Sequence, residues 1–219
     1  MESMAPQRKR PRPRDASATR EVLLDAATLV FAEKGFAGAR VDEIAARAGA
    51  NKALIYAYYG DKKGIYRAVL SSRLAEFTDP AFSEAFASEV SPRRALEEVV
   101  RRLLRLLIKD RAFARLLAWD LLSNGRSGRD IILDSSGPLL ALISDLVLRG
   151  RAAGELRDTT DPELFRSVLI SLGIGYPLQH SVMTQARERS GVHYTDEHFV
   201  DYVCRILLEP DSALERRTA

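Results

Sequence analysis

Residues 49–66, GANKALIYAYYGDKKGIY, gather four tyrosines and three lysines into one Gly-bounded segment. Hydroxyl and ammonium groups are the donors that hold a phosphate backbone, and an alanine methyl can touch a thymine methyl in a major groove. Tyr56, Tyr58 and Tyr59 stand almost side by side, and one helical turn cannot aim all three rings at a core. At about 100° per residue, setting Ile55 inward leaves Tyr59 about 40° away on the inner side. Ala53 and Ala57 then fall at about 160° and 200°, on the outermost edge. Tyr56 and Leu54 take the flanks, and Tyr58 the boundary of the Leu54 side. Small residues on the outer edge let the backbone approach base edges. Flanking hydroxyls reach phosphates on either wall, and Lys52 adds charge at the N-terminal end. The alternative, that every tyrosine packs within a helical bundle, accounts less well for the Gly turn, the exposed alanines and the local positive charge.

The elements that must carry this segment are helices. Residues 1–16, MESMAPQRKRPRPRDA, have no apolar period and three prolines, and read as a basic disordered arm. A helix is expected from Ser17 or Thr19, with a Leu23, Ala27, Val30, Phe31 stripe ended by Gly35. A short second helix places Val41, Ile44, Ala45 and Ala48 on one face, and Gly49 breaks it. Asn51 caps a third, Lys52 to Tyr59, and Asp61 caps a fourth that runs to about Phe77. Beyond residue 80, strand signals are nearly absent. PRRALEEVVRRLLRLLIKD offers a wide apolar face through Leu96, Val99, Val100, Leu103, Leu104 and Leu107. AFARLLAWDLLSNG ends at Gly125, and SSGPLLALISDLVLRGRAAGEL follows. Asp161 and Pro162 open DPELFRSVLISLGIGYPLQHSVM, and Thr195 caps a last helix stopped by Pro210. The fold class is all-α: an arm (1–16), a three-helix helix-turn-helix unit (17–62) and a larger helical domain (63–219).

Composition agrees with a basic reading unit joined to a different module. Lys+Arg exceed Asp+Glu by 33 to 30, giving a net charge of +3. The excess lies in the N-terminal third, which suggests a polyanion partner. The one cysteine, Cys204, has no disulfide partner, so a reducing cytoplasm is the expected compartment. No apolar h-region follows the basic start, and no apolar run is read as a membrane span.

VDEIAARAGANKALIYAYYGDKKGIYRAVL closely resembles the DNA-binding segment of the tetracycline-repressor (TetR) family, and REVLLDAATLVFAEKGF resembles that family's first helix. The spacing of Gly35, Ile44-Ala45, Gly49, Lys52, Tyr56, Tyr59 and Lys62 carries the resemblance, which covers about residues 17–72. GELRDTTDPELF looks like the turn before the family's dimerisation helices. The resemblance implies a homodimeric transcriptional regulator, most often a repressor, that binds a palindromic double-stranded operator and is released by a small-molecule effector. The residues themselves give no support to nucleophilic or paired-acid catalysis, so no enzymatic activity and no cofactor are expected. By position the resemblance assigns DNA contacts to Lys52, Ala53, Tyr56 and Tyr58, with Lys62 on a phosphate; Arg47 is a further candidate. Ala39-Arg40 stands where the family has Thr or Ser before the second helix, so a hydroxyl cap is missing and Arg40 is the candidate for its phosphate contact. A rival reading is a DNA-binding structural factor, such as a nucleoid-associated protein that recruits a protein partner.

Other candidate sites are weaker. Arg8, Lys9, Arg10, Arg12 and Arg14 either enter an adjacent minor groove or merely solubilise the chain. His193, Glu197, His198 and Asp201 lie close in sequence but lack metal-ligand spacing, so no metal site is assigned. Cys204, on an apolar helix, reads as buried and inert. An effector pocket between the helices of the larger domain is assigned to Phe113, Leu117, Trp119, Asp120 and Tyr176. Gly173, Gly175 and Pro177 inside one helix are costly, and call for close packing across a dimer or a kink that shapes the pocket. The apolar residues from Leu164 to Ile174, with Phe199, Val203, Ile206 and Leu207, point to a dimer face.

Overall fold

In the computed structural model the described residues are 13–79, 84, 86, 91–123 and 129–209. They form helices and no strand: α1 (Pro13–Gly38), α2 (Val41–Arg47), α3 (Lys52–Tyr59), α4 (Lys62–Thr78), α5 (Pro92–Lys109), α6 (Arg111–Leu122), α7 (Arg129–Ala152), α8 (Pro162–Ser190) and α9 (Asp196–Leu208). Arg8, Lys9, Arg10 and Arg12 of the arm lie outside the described residues, as do Gly125 and Pro210, the expected helix stops.

The caps follow the local rules that place them. Asn51 Oδ1 accepts from Ala53 N, Asp61 Oδ1 from Gly64 N, and Asp161 Oδ1 from both Glu163 N and Leu164 N. Thr195 and His198 form a reciprocal capping box at the start of α9. Two starts differ from expectation. α1 is already helical at Pro13, the first described residue, so neither Ser17 nor Thr19 caps it. α7 begins at Arg129 and runs through Pro138. By length and composition Asp130–Ala152 would suffice to cross a membrane, contrary to the reading above. Its Ile131, Leu139, Ile143, Leu146 and Val147 are instead buried in the bundle.

Gly35 breaks α1 with φ +66° and ψ 174°, so the segment to Gly38 sets off in a new direction toward α2. α1 packs on α6 and α4, and α2 and α3 close the N-terminal unit. α4 continues onto α7, while α5 lies among α7, α8 and α9. One contiguous core links the two units, from Leu23 and Ile55 through Tyr66 to Leu104, Phe113 and Val203. Gly173 is explained within the chain, not across a dimer or by a kink: a Cβ there would stand 2.8 Å from Leu107 Cδ1. The bare backbone thus lets α8 lie close on α5. α9 packs against α5 more than along α8, which leaves a cleft between α8 and α9.

Candidate nucleic-acid interface

α2 and α3 are joined by a tight turn in which Gly49 takes φ +60°, a value that costs a residue without Cβ nothing. Ile55 at the centre of α3 is fully buried, whereas Ala53, Ala57 and Tyr56 are exposed and Leu54, Tyr58 and Tyr59 half-buried. The Tyr59 hydroxyl donates inward to the Arg20 carbonyl at 3.2 Å, tying α3 to α1, and burial raises its pKa. Its ring meets Tyr58 edge to face at 6.2 Å. Tyr56 and Tyr58 direct no hydroxyl bond to another described residue. The outer face of α3 is therefore two alanine methyls flanked by tyrosine hydroxyls, with Lys52 at the N-terminal end.

Three of the six cations of this unit are paired with acids of the same unit. Lys52 Nζ lies 2.8 Å from Asp42 Oδ1, and Lys34 Nζ 2.7 Å from Glu43 Oε1. Arg47 grips Glu33 with two bonds, at 2.7 and 3.1 Å. These contacts raise the pKa of Lys52 and Arg47 and lower those of Glu33 and Glu43. Lys62, expected on a phosphate, donates to the Ala39 carbonyl at 3.1 Å and covers the Phe36 ring at 4.7 Å. It fastens the start of α4 to the α1–α2 connection. Arg47 likewise faces α1. Arg40 precedes α2 in extended conformation, exposed, and makes no side-chain cap bond.

The five residues assigned to an effector pocket are not brought together. Phe113 is fully buried core, and Leu117 packs against that core. Trp119 and Asp120 sit at the seam between α6 and the N-terminal unit. The Trp119 indole donates to the Ala32 carbonyl at 3.0 Å, and its ring lies 3.2 Å from where a Gly35 Cβ would stand. Asp120 accepts from the Tyr66 hydroxyl of α4, beneath an aromatic cluster of Phe31, Phe36 and Tyr66. Of the five only Tyr176 lines the cleft between α8 and α9, a space of about 830 Å³ that also meets Gln179, Met183, Phe199 and Tyr202. Tyr176 stacks on Phe199 at 3.7 Å and donates to Asp196 at 2.8 Å. The acids near His198 are engaged elsewhere: Glu197 with Arg105 and Asp201 with Arg101. Cys204 is buried, and burial pushes its thiol up to about 11.

The acid partners Glu33, Asp42 and Glu43 were missed by the sequence reading, because each pairing joins two helices and leaves no local period. Asp120 did leave a signal, as a lone acid inside the apolar run LLAWDLL, which foretells a buried carboxylate with a hydrogen-bond donor.

Residues 23–69 match the bacterial regulatory proteins of the tetR family, and residues 92–193 match a tetracyclin repressor-like C-terminal domain. The chain is 30% identical over 149 residues to the HTH-type transcriptional repressor NicS of Pseudomonas putida, covering 67% of this chain and 70% of that one. It is 39% identical over 107 residues to the HTH-type transcriptional repressor SCO4008 of Streptomyces coelicolor, about half of each chain (49% and 52%). In fold it is similar to FadR of Bacillus subtilis, crystallised with stearoyl-CoA, at a TM-score of 0.67 and 21% identity over 86% of this chain and 97% of that one. The chain belongs to the TetR family of bacterial regulatory proteins and is a helix-turn-helix transcriptional regulator, not an enzyme.

Proposed function

We propose that the protein is a ligand-responsive repressor that binds a palindromic operator as a homodimer in the cytoplasm. Residues 17–62 serve as its DNA-reading unit and residues 63–219 as its ligand-binding and dimerisation domain. The observation that carries this reading is the outer face of α3, where Ala53 and Ala57 are exposed over a buried Ile55 and flanked by Tyr56 and Tyr58. A surface of methyls bordered by hydroxyls fits a major groove and has no use in a bundle core. Lys52, Ala53, Tyr56 and Tyr58 face the duplex in this reading, with Arg40 beside α2.

The homodimer is supported by α8 and α9. Leu164, Val168, Leu178 and Val182 leave an apolar stripe along α8, and Tyr202 and Ile206 continue it on α9. Leu169, Ile174 and Val203, expected in that stripe, are buried in the chain's own core; the exposed stripe runs from Leu164 and Val168, within the expected segment, on to Leu178 and Val182. A patch of this kind on a soluble chain marks an interface, and two identical patches close on a two-fold axis. The effector acts through α6, which packs on α8 at one side and on α1 at the other. NicS and SCO4008 are repressors by name.

Selection of bound duplexes from a random pool tests this reading. An inverted repeat with half-sites about one helical turn apart, or a multiple of it, is the expected product. A small-molecule screen on the recovered site follows, with release of the duplex as the readout. Recovery of no preferred sequence, or of an asymmetric one by a monomer in sedimentation, overturns it.

A further inference from the structure

We propose that Arg20 is a phosphate-binding residue held ready by the Tyr58 ring, so that α1 grips the duplex beside the C-terminal end of α3. The proposal rests on the reading of α3 as the recognition helix. The Arg20 guanidinium carbon lies 4.8 Å from the Tyr58 ring centroid, within the range of a cation–π contact. The Arg20 carbonyl takes the Tyr59 hydroxyl at 3.2 Å. Two consecutive residues of α3 thus fix one residue of α1, one through its side chain and the other through its backbone.

A ring face holds a cation without using its N–H groups. The guanidinium keeps five donors in its own plane, the geometry that matches a phosphate. Arg20 is exposed, and no carboxylate among the described residues pairs with it. Four of the five other cations of this unit differ in this respect. Lys34, Arg47 and Lys52 each hold an acid of the same unit, and Lys62 is turned to the Ala39 carbonyl. A phosphate reaching those groups competes with an internal acceptor; one reaching Arg20 does not. Placement also matters. Lys52 stands at the N-terminal end of α3, and Arg20 stands over Tyr58 near the other, so the helix has a cation at each end. Tyr58 is one of the two flanking tyrosines of the outer face, and Arg20 lies against its ring.

A structural alternative gives Arg20 only the task of complementing the negative C-terminal end of α3. Salt separates the two. The full-length protein, its Arg20→Gln variant and its Arg20→Lys variant are titrated against a duplex recovered by selection, from about 50 to about 200 mM salt. Melting temperatures are measured alongside. The phosphate contact predicts that Arg20→Gln lowers the slope of log K against log salt by about 0.9 per chain, about 1.8 per dimer. The affinity deficit of the variant then shrinks roughly tenfold across that salt range, with an unchanged melting temperature. Arg20→Lys retains most of the slope. An Arg20→Gln variant with the wild-type slope overturns the proposal, whether its affinity is unchanged or falls together with its melting temperature. Failure of the wild type itself to bind selected DNA would overturn the reading of α3, a result distinct from a variant that matches a binding wild type.

Discussion

Asp120 of α6 accepts a hydrogen bond from the Tyr66 hydroxyl of α4, with Tyr66 1% and Asp120 5% exposed. The pair joins the larger domain to the helix that leaves the DNA-reading unit. Burial pushes the Asp120 carboxyl from 3.8 up to about 6. A carboxyl raised on folding binds its proton more tightly in the native state, so its ionisation opposes folding. Its contribution is therefore most favourable below pH 3.8 and is lost as pH rises through about 6. Asp120→Asn, which keeps an acceptor for Tyr66, should be more stable than the wild type by roughly 1–3 kcal/mol at pH 8. The gap should close near pH 4. Urea unfolding at the two pH values measures it, and a gap independent of pH would refute the assignment. Tyr66→Phe leaves the carboxyl without its donor and should cost about 1–3 kcal/mol at neutral pH.

Gly35→Ala should destabilise by about 1–3 kcal/mol. It forces a side chain into a left-handed φ and places a methyl 3.2 Å from the Trp119 ring. Thermal unfolding reads the loss. A variant as stable as the wild type would mean that the break in α1 is not required.

Tyr56→Phe and Tyr58→Phe should each weaken operator binding by about 1 kcal/mol per lost hydrogen bond, twice per dimer. The loss should be similar across operator variants, because phosphate contacts carry no base information. Tyr59→Phe removes the bond to the Arg20 carbonyl and should change stability more than DNA affinity. Equal effects of the three substitutions on binding would contradict the orientation of α3.

Val182→Glu on the exposed stripe of α8 should shift the protein toward monomer, since two copies would bring like charges together at a buried contact. Operator affinity should fall with it, while the helix content is retained. Sedimentation at micromolar concentration checks the first outcome; a dimer of wild-type stability would place the interface elsewhere.

The parts legible in the sequence are those settled within a few residues. Asn51, Asp61, Asp161 and Thr195 cap helices because each side chain reaches an N–H only two or three positions on. The facing of α3 follows from one buried residue, Ile55, and the helical period. What the sequence hides depends on how helices meet. Glu33 reaches Arg47 only because α1 and α2 are folded side by side, and that contact pairs a candidate DNA cation with an acid of its own unit. Phe113, Trp119 and Tyr176 are assigned to one pocket between the helices; α6 and α8 carry them to a core, a seam and a cleft. Gly173 is read as a close approach across a dimer or as a kink, and the neighbour it meets within the chain is missed, since nothing local specifies that α5 is the helix above it.

Trp119 is the one tryptophan in the chain, and its indole lies against Gly35 with its N–H on the Ala32 carbonyl. Selectively excited fluorescence of the unlabelled protein therefore comes from a single place, the joint between the DNA-reading unit and the rest. An effector or a duplex that slides α6 along α1 alters the surroundings of that ring, and with them the colour and intensity of its emission. A compound that binds without moving the joint leaves the spectrum as it was. The molecule carries its own optical gauge, able to sort ligands that actuate it from ligands that only occupy it.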